Sequence, residues 1–152
     1  MTSPTLPNSF KHVKLRSGKE FDLAFIPTIG SEEELAQAAC FSCLADQSPE
    51  ACAIYSGALL DGKCEVRPPK NSQLISQAQR VGITGINLED RFIRQGSLEL
   101  IEAWLEKMGG SIHNRTRLLV SQILGRGHTA VVIADQEHDI GVIELALPET
   151  TA

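Results

Sequence analysis

Thr129-Ala-Val-Val-Ile-Ala134 carries no charged side chain, and Ile140-Gly-Val-Ile-Glu-Leu145 follows it with a second, nearly apolar run. A strand with no polar side has no face to give to water, so both of its faces must be covered. The Asp135-Gln-Glu-His-Asp139 stretch between them reads as a solvated turn. The first run is therefore expected to be covered on both faces, and Ile140–Leu145 to return beside it in a sheet covered by helices. Few arrangements offer such cover, and the remaining punctuation of the chain has to supply the helices.

It does. Residues 10–16 alternate apolar and polar as a half-buried strand does, Ser17-Gly18-Lys19 turns, and residues 20–26 read as a second strand that stops at Pro27. Ser31-Glu-Glu-Glu34 is a capping box whose helix should run to about Ala45. Ser48-Pro49-Glu50 starts a second helix, with proline where its missing N–H costs nothing. Asp61-Gly62 and Pro68-Pro69 interrupt the chain. Residues 71–81 look helical by composition, whereas Gly82-Ile-Thr-Gly85 and Arg91-Phe-Ile-Arg94 look extended. Ser97 caps a helix with Leu98, Ile101, Leu105 and Met108 on one face and Trp104 beside them, ended by Gly109-Gly110. Another helix fits 114–124, with Gly125 as its stop. The order is strand pair, helix pair, extended stretch, helix pair, strand pair. That predicts an α+β fold: an antiparallel sheet of about six strands flanked by two helix pairs.

The 152 residues suffice for one domain with a core, and 42% apolar content excludes a disordered chain. Against 14 basic residues stand 19 acidic ones, a net charge of −5, which argues against a general nucleic-acid or anionic-membrane binder. No stretch reaches the roughly 18 apolar residues of a membrane span, and the Pro- and Ser-rich start is no secretory signal, so a cytoplasmic location without membrane insertion is expected. Residues 1–9 read as a flexible leader, 10–147 as a single domain and 148–152 as a tail.

Four cysteines fit reduced thiols. Cys40-Phe-Ser-Cys43 has ligand-like spacing, with Cys52 and Cys64 further on, and a four-thiolate zinc site or a redox pair is the alternative to core cysteines. Cys40 and Cys43 fall in an Ala- and Leu-rich helix and not in a turned knuckle, which favours the core reading. His12, His113, His128 and His138 show no ligand spacing, and no bound metal is expected. Gly-x-x-x-x-Gly-Lys and Gly-x-Gly-x-x-Gly loops are absent. Gly82-Ile-Thr-Gly85 has the spacing of an RNA-binding KH loop but no basic neighbours within it.

Three segments in order carry a resemblance. Leu44-Ala-Asp-Gln-Ser-Pro-Glu50 is similar to Leu-Ala-Asp-Glu-Thr-Pro-Glu-Gly. Thr84-Gly-Ile-Asn87 and Arg94-Gln-Gly-Ser97 are similar to Ser-Gly-Ile-Asn and Arg-Lys-Gly-Ser. Gly127 to Ala134 and Gly141-Val-Ile-Glu-Leu145 resemble a closing strand pair, and Phe25-Ile-Pro27 also fits. Together, over residues 17–147, they resemble the nucleotide-binding (N) domain of P-type ATPases, most of all that of the catalytic subunit of the bacterial Kdp potassium transporter. The resemblance implies that 72–95 is mostly extended, against the composition of 71–81. It also implies a domain inserted in a host, so that residues near 15 and 146 should lie on neighbouring strands.

The resemblance further implies a site that binds adenine nucleotide, ATP or ADP, with magnesium only as part of the nucleotide complex. Glu50 matches an acidic residue near the adenine, Gly96 a glycine where backbone approaches the nucleotide, and Thr84 a pocket serine. Gln95 stands in place of a lysine, Glu99 in place of an aspartate, and the stacking aromatic falls near Gln77. Ala51-Cys52 replaces Gly-Arg after Pro-Glu. The phosphorylated Asp-Lys-Thr-Gly has no counterpart at Phe10-Lys-His-Val, so no catalysis is expected of this chain alone. Losing the aromatic stack costs about 1–3 kcal/mol and losing the lysine about 1.5–3 kcal/mol, a loss of roughly 10² to 10⁴ in affinity. Weak nucleotide binding without hydrolysis is the expectation, with other cytoplasmic domains of a transport ATPase as partners. A diverged protein-interaction or regulatory module is the alternative.

Overall fold

The computed structural model describes residues 10–60, 62–76 and 81–148. β1 (Lys11–Lys14) and β2 (Glu20–Pro27) form the first hairpin, its turn closed by the Gly18 N–H donating to the Leu15 carbonyl. α1 (Glu32–Ser42) begins on the predicted capping box: the Glu34 N–H donates to Ser31 Oγ at 3.1 Å and the Ser31 N–H to Glu34 Oε1 at 2.8 Å. α2 (Pro49–Leu59) follows, with Ser48 Oγ accepting from the Ala51 N–H.

Next come β3 (Gln73–Ile75), β4 (Thr84–Asn87) and β5 (Phe92–Gly96). The helical composition of 71–81 is overruled within the described residues, because Gln73, Leu74 and Ile75 pair with Asn87, Ile86 and Gly85. A ladder partner outweighs a few tenths of a kcal/mol of local propensity per residue.

α3 (Leu98–Met108) ends on Gly109 in the left-handed region, φ 84°. α4 (Asn114–Gly125) includes Gly125, contrary to the expected stop there. The left-handed residue is Gly127, φ 78°, whose N–H donates to the Leu124 carbonyl while the His128 N–H donates to the Ile123 carbonyl. That bonding pattern satisfies the last carbonyls two residues later than the sequence suggested. β6 (Thr129–Ala134) and β7 (Asp139–Ala146) close the domain.

The seven strands among the described residues join one antiparallel sheet in the order β1-β2-β7-β6-β5-β4-β3, one strand more than about six. α1 and α2 cover one face, where Ile54 of α2 packs with Leu23, Phe25, Ile86, Ile93 and Ile143 of the sheet. α3 and α4 cover the other, where Ile101 and Leu105 of α3 and Ile123 of α4 pack with Val132 and Val142 of the sheet. β7 is buried from Asp139 to Leu145, as a strand covered on both faces requires. β6 is buried from Val132 onward, but Thr129 is exposed and Ala130 and Val131 only half-buried.

The chain ends correct one expectation. β1 and β7 are not neighbours, because β2 lies between them: His12 pairs with Asp22, and Asp22 on its other side with Ala146. Of the cysteines, Cys40 and Cys43 are buried as expected, whereas Cys52 is exposed and Cys64 half-buried, so those two are not core residues. The helix that would have buried Cys52 turns that side outward. Among the described residues no group of three or more His, Cys, Asp or Glu side chains is placed to hold a metal ion.

Candidate functional site

The uncovered start of β6 faces a hollow of about 220 Å³. Its second wall is the α1–α2 connection and the first turns of α2: Asp46, Ser48, Glu50, Ala51 and Ile54. Asp46 Oδ1 accepts the Ser48 N–H at 2.9 Å, which shapes the turn ahead of the proline. Its third wall is Gly82, Thr84, Gln95, Gly96 and Ser97.

Strand register sets that third wall. Thr84 and Gln95 are direct partners across β4 and β5, so their side chains share one face. The same alternation sends Ile86 and Ile93 into the core beneath α1 and α2. It also sends Arg94 to the opposite face, where its guanidinium lies 5.2 Å from the Trp104 ring centroid and its Nη1 donates to Asn87 Oδ1 at 2.9 Å.

Two of the wall's polar side chains are buried, Thr84 at 2% and Gln95 at 5% exposure, while Ser97 is exposed. Gln95 Nε2 donates to Cys43 Sγ at 3.3 Å. Burial pushes the Cys43 thiol up to about 12, so it stays protonated and is no nucleophile. Gly96 is required by a close approach of backbone: a Cβ there would stand 2.7 Å from the Gly82 carbonyl oxygen.

Glu50, Thr84, Gln95 and Gly96, predicted from two separate segments, thus line one hollow. Glu99 does not line it; it is exposed in the first turn of α3, where a carboxylate suits the helix end. Gln77 lies outside the described residues. Sequence reasoning missed the apolar walls, Ile54, Ala130 and Val131, and the rim residues Asp46 and Ser97. Only the cap signals at Ser48 and Ser97 hinted at the last of these.

A larger cavity of about 620 Å³ lies on the other flank of α2, between the β1–β2 turn and Cys43, Cys52 and Tyr55. None of the predicted site residues among the described residues lines it.

The geometry has parallels. No family model matches the chain. The potassium-transporting ATPase ATP-binding subunits of Photorhabdus laumondii and Serratia proteamaculans are 30% and 31% identical to it over 124 residues, 80% of this chain and 18% of theirs. That of Clostridium botulinum is 31% identical over 126 residues, with the same coverage. The chain therefore spans about a fifth of the length of these relatives. Among solved structures, the N-domain of a copper-transporting P-type ATPase superposes with a TM-score of 0.59, at 18% identity over 79% of this chain and 94% of that one. A zinc-transporting PIB-type ATPase superposes with a TM-score of 0.65, at 16% identity over 89% of this chain and 20% of that one. The chain has the N-domain fold of the P-type ATPases, and its sequence is similar to that of the ATP-binding subunit of the potassium-transporting members.

Proposed function

We propose that the hollow receives the base of an adenine nucleotide, ATP or ADP, weakly and without hydrolysing it. The observation that carries this reading is the convergence of Glu50, Thr84, Gln95 and Gly96, from two distant segments, on one hollow of a fold shared with P-type ATPase N-domains. The chemistry suits a base. Ile54, Ala130 and Val131 offer apolar walls, while the Thr84 hydroxyl and the Gln95 amide offer donors and acceptors at its edge. At about 220 Å³ the hollow lies below the roughly 300–1,000 Å³ of sites that enclose a whole ligand, so the ribose and phosphates would project from it.

Phosphoryl transfer needs a nucleophile, a metal and a clamped phosphate together. The hollow supplies capture alone. Magnesium would arrive on the nucleotide's phosphates. Residues 10–147 would act as one capture domain on the cytoplasmic side of a membrane, working with further domains of a transport ATPase.

Titrating ATP into the labelled protein and following amide NMR shifts tests the reading. Shifts centred on Glu50, Thr84 and Gly96 are expected, saturating in the millimolar range. An unmoved spectrum at several millimolar ATP defeats it.

A further inference from the structure

On the base-capture reading, we propose that Cys43 is a positioning residue of the hollow: its thiol holds the Gln95 amide, whose oxygen accepts from the exocyclic amine of the bound base. The hold joins two fixed ends. Cys43 is the C-cap of α1, its own N–H donating to the Ala39 and Cys40 carbonyls at 3.1 and 3.3 Å. Gln95 sits within the sheet, paired with Thr84 on one side and Ile133 on the other. Between them Gln95 Nε2 donates to Cys43 Sγ at 3.3 Å, and the thiol donates to Gln95 Oε1 at 3.6 Å. Both ends of the amide therefore meet one sulfur, which fixes the amide plane. Burial keeps that thiol protonated, so it can act as donor and acceptor at once.

A side chain needed only for packing would be apolar, because a buried amide carries a desolvation cost that sulfur, a weak partner, repays poorly. An amide has two donors and two lone pairs. The thiol takes one of each and leaves one of each, on a buried side chain that lines the hollow. The manner of entry selects what it meets. At about 220 Å³ the hollow does not enclose a whole nucleoside, so the ribose stays outside and the base enters with its far edge leading. In adenine that edge carries the 6-amino group, a donor, which reaches the wall formed by Thr84 and Gln95.

The test compares adenosine with purine riboside, the same nucleoside without the 6-amino group, by amide NMR titration of the whole protein. Both are uncharged, so their ratio reads the amine alone. The wild-type protein is expected to bind adenosine at least about fivefold more tightly, the worth of one neutral hydrogen bond. Cys43→Ser keeps a group that accepts from Nε2 and donates to Oε1, and it should keep the ratio. Cys43→Val and Cys43→Ala, one filling the space and one vacating it, remove both bonds. Either is expected to bring the ratio to within about twofold of unity, and Gln95→Met to level it in the same way. A thiol with a merely structural role would weaken both nucleosides alike and leave the ratio at its wild-type value. A wild-type ratio near one, or a ratio that survives the apolar replacements of Cys43, overturns the proposal while leaving base capture standing. Hollow resonances that neither nucleoside moves overturn both.

Discussion

Asp139 opens β7 with a carboxylate that is wholly buried. Burial alone would raise its pKa, but Thr116 Oγ1 donates to it at 2.6 Å, the His113 N–H at 2.8 Å and Thr28 Oγ1 at 2.7 Å, and together these hold it below its ordinary 3.8. It also serves α4, whose N-cap residue His113 makes no side-chain cap bond. Glu144, likewise buried, is held below its ordinary 4.5 against burial by Arg126 and His128. A carboxylate with a lowered folded pKa stabilises above its unfolded value and loses that contribution as pH falls through the folded one. The chain should therefore shed stability below about pH 4. Asp139→Asn leaves hydroxyl donors facing an amide, and it is expected to cost roughly 2–4 kcal/mol near neutrality. Urea midpoints should show that gap shrinking as the pH falls below the ordinary carboxylate range and the native carboxylate itself begins to take up a proton. A gap independent of pH would mean the charge plays no part. None of this was legible in the sequence, where Asp139 read as a turn residue, because its partners Thr28 and Thr116 are 111 and 23 residues away.

Elements were legible where their signals are local. The caps at Ser31, Ser48 and Ser97 each sit within three residues of what they bond, and all three start helices where expected. β3 was not legible by composition, because a short edge strand owes its form to β4 and not to its own residues. The end of α4 was misplaced because two glycines, Gly125 and Gly127, compete for one role and only backbone geometry separates them. That distinction can be measured. Gly125 is helical and a Cβ on it meets nothing within 4 Å, so Gly125→Ala is expected to stabilise the domain by about 0.5–1 kcal/mol. Were Gly125 the left-handed stop, the same change would destabilise. Gly85→Ala is expected to do harm instead. Its Cβ would collide with the Ile93 carbonyl oxygen, a backbone atom that cannot turn aside. The β4–β5 pair must part, at a cost of about 2–3 kcal/mol, and hydrogen exchange should accelerate along both strands. Wild-type exchange rates there would refute the close approach.

At the scale of the molecule, the strand order bears on the expectation of an inserted domain, whose two ends must return to one place. β1 and β7 run parallel with β2 between them, so His12, Asp22 and Ala146 stand in a row across three strands. Two strand spacings put the outer pair about 10 Å apart. The resemblance pointed to nearby ends but could not show the intervening strand, since spacing along a chain does not reveal pairing order. If that proximity is real, the chain tolerates a new order of connection. A permutant that joins residue 148 to residue 10 through about eight Gly and Ser residues, a linker spanning about 15 Å on average, has enough reach to pass β2. Opening it between Arg67 and Pro68, in an exposed loop outside the sheet, removes no ladder bond. It is expected to unfold in one cooperative step within a few degrees of the parent and to keep the same ligand-shift pattern at Thr84 and Gly96. A second permutant with the same linker, opened between Ser17 and Gly18, separates a faulty cut from a faulty junction. If both fail to fold, the ends are not where the strand order puts them, and the chain would be a poor candidate for insertion between two halves of a host.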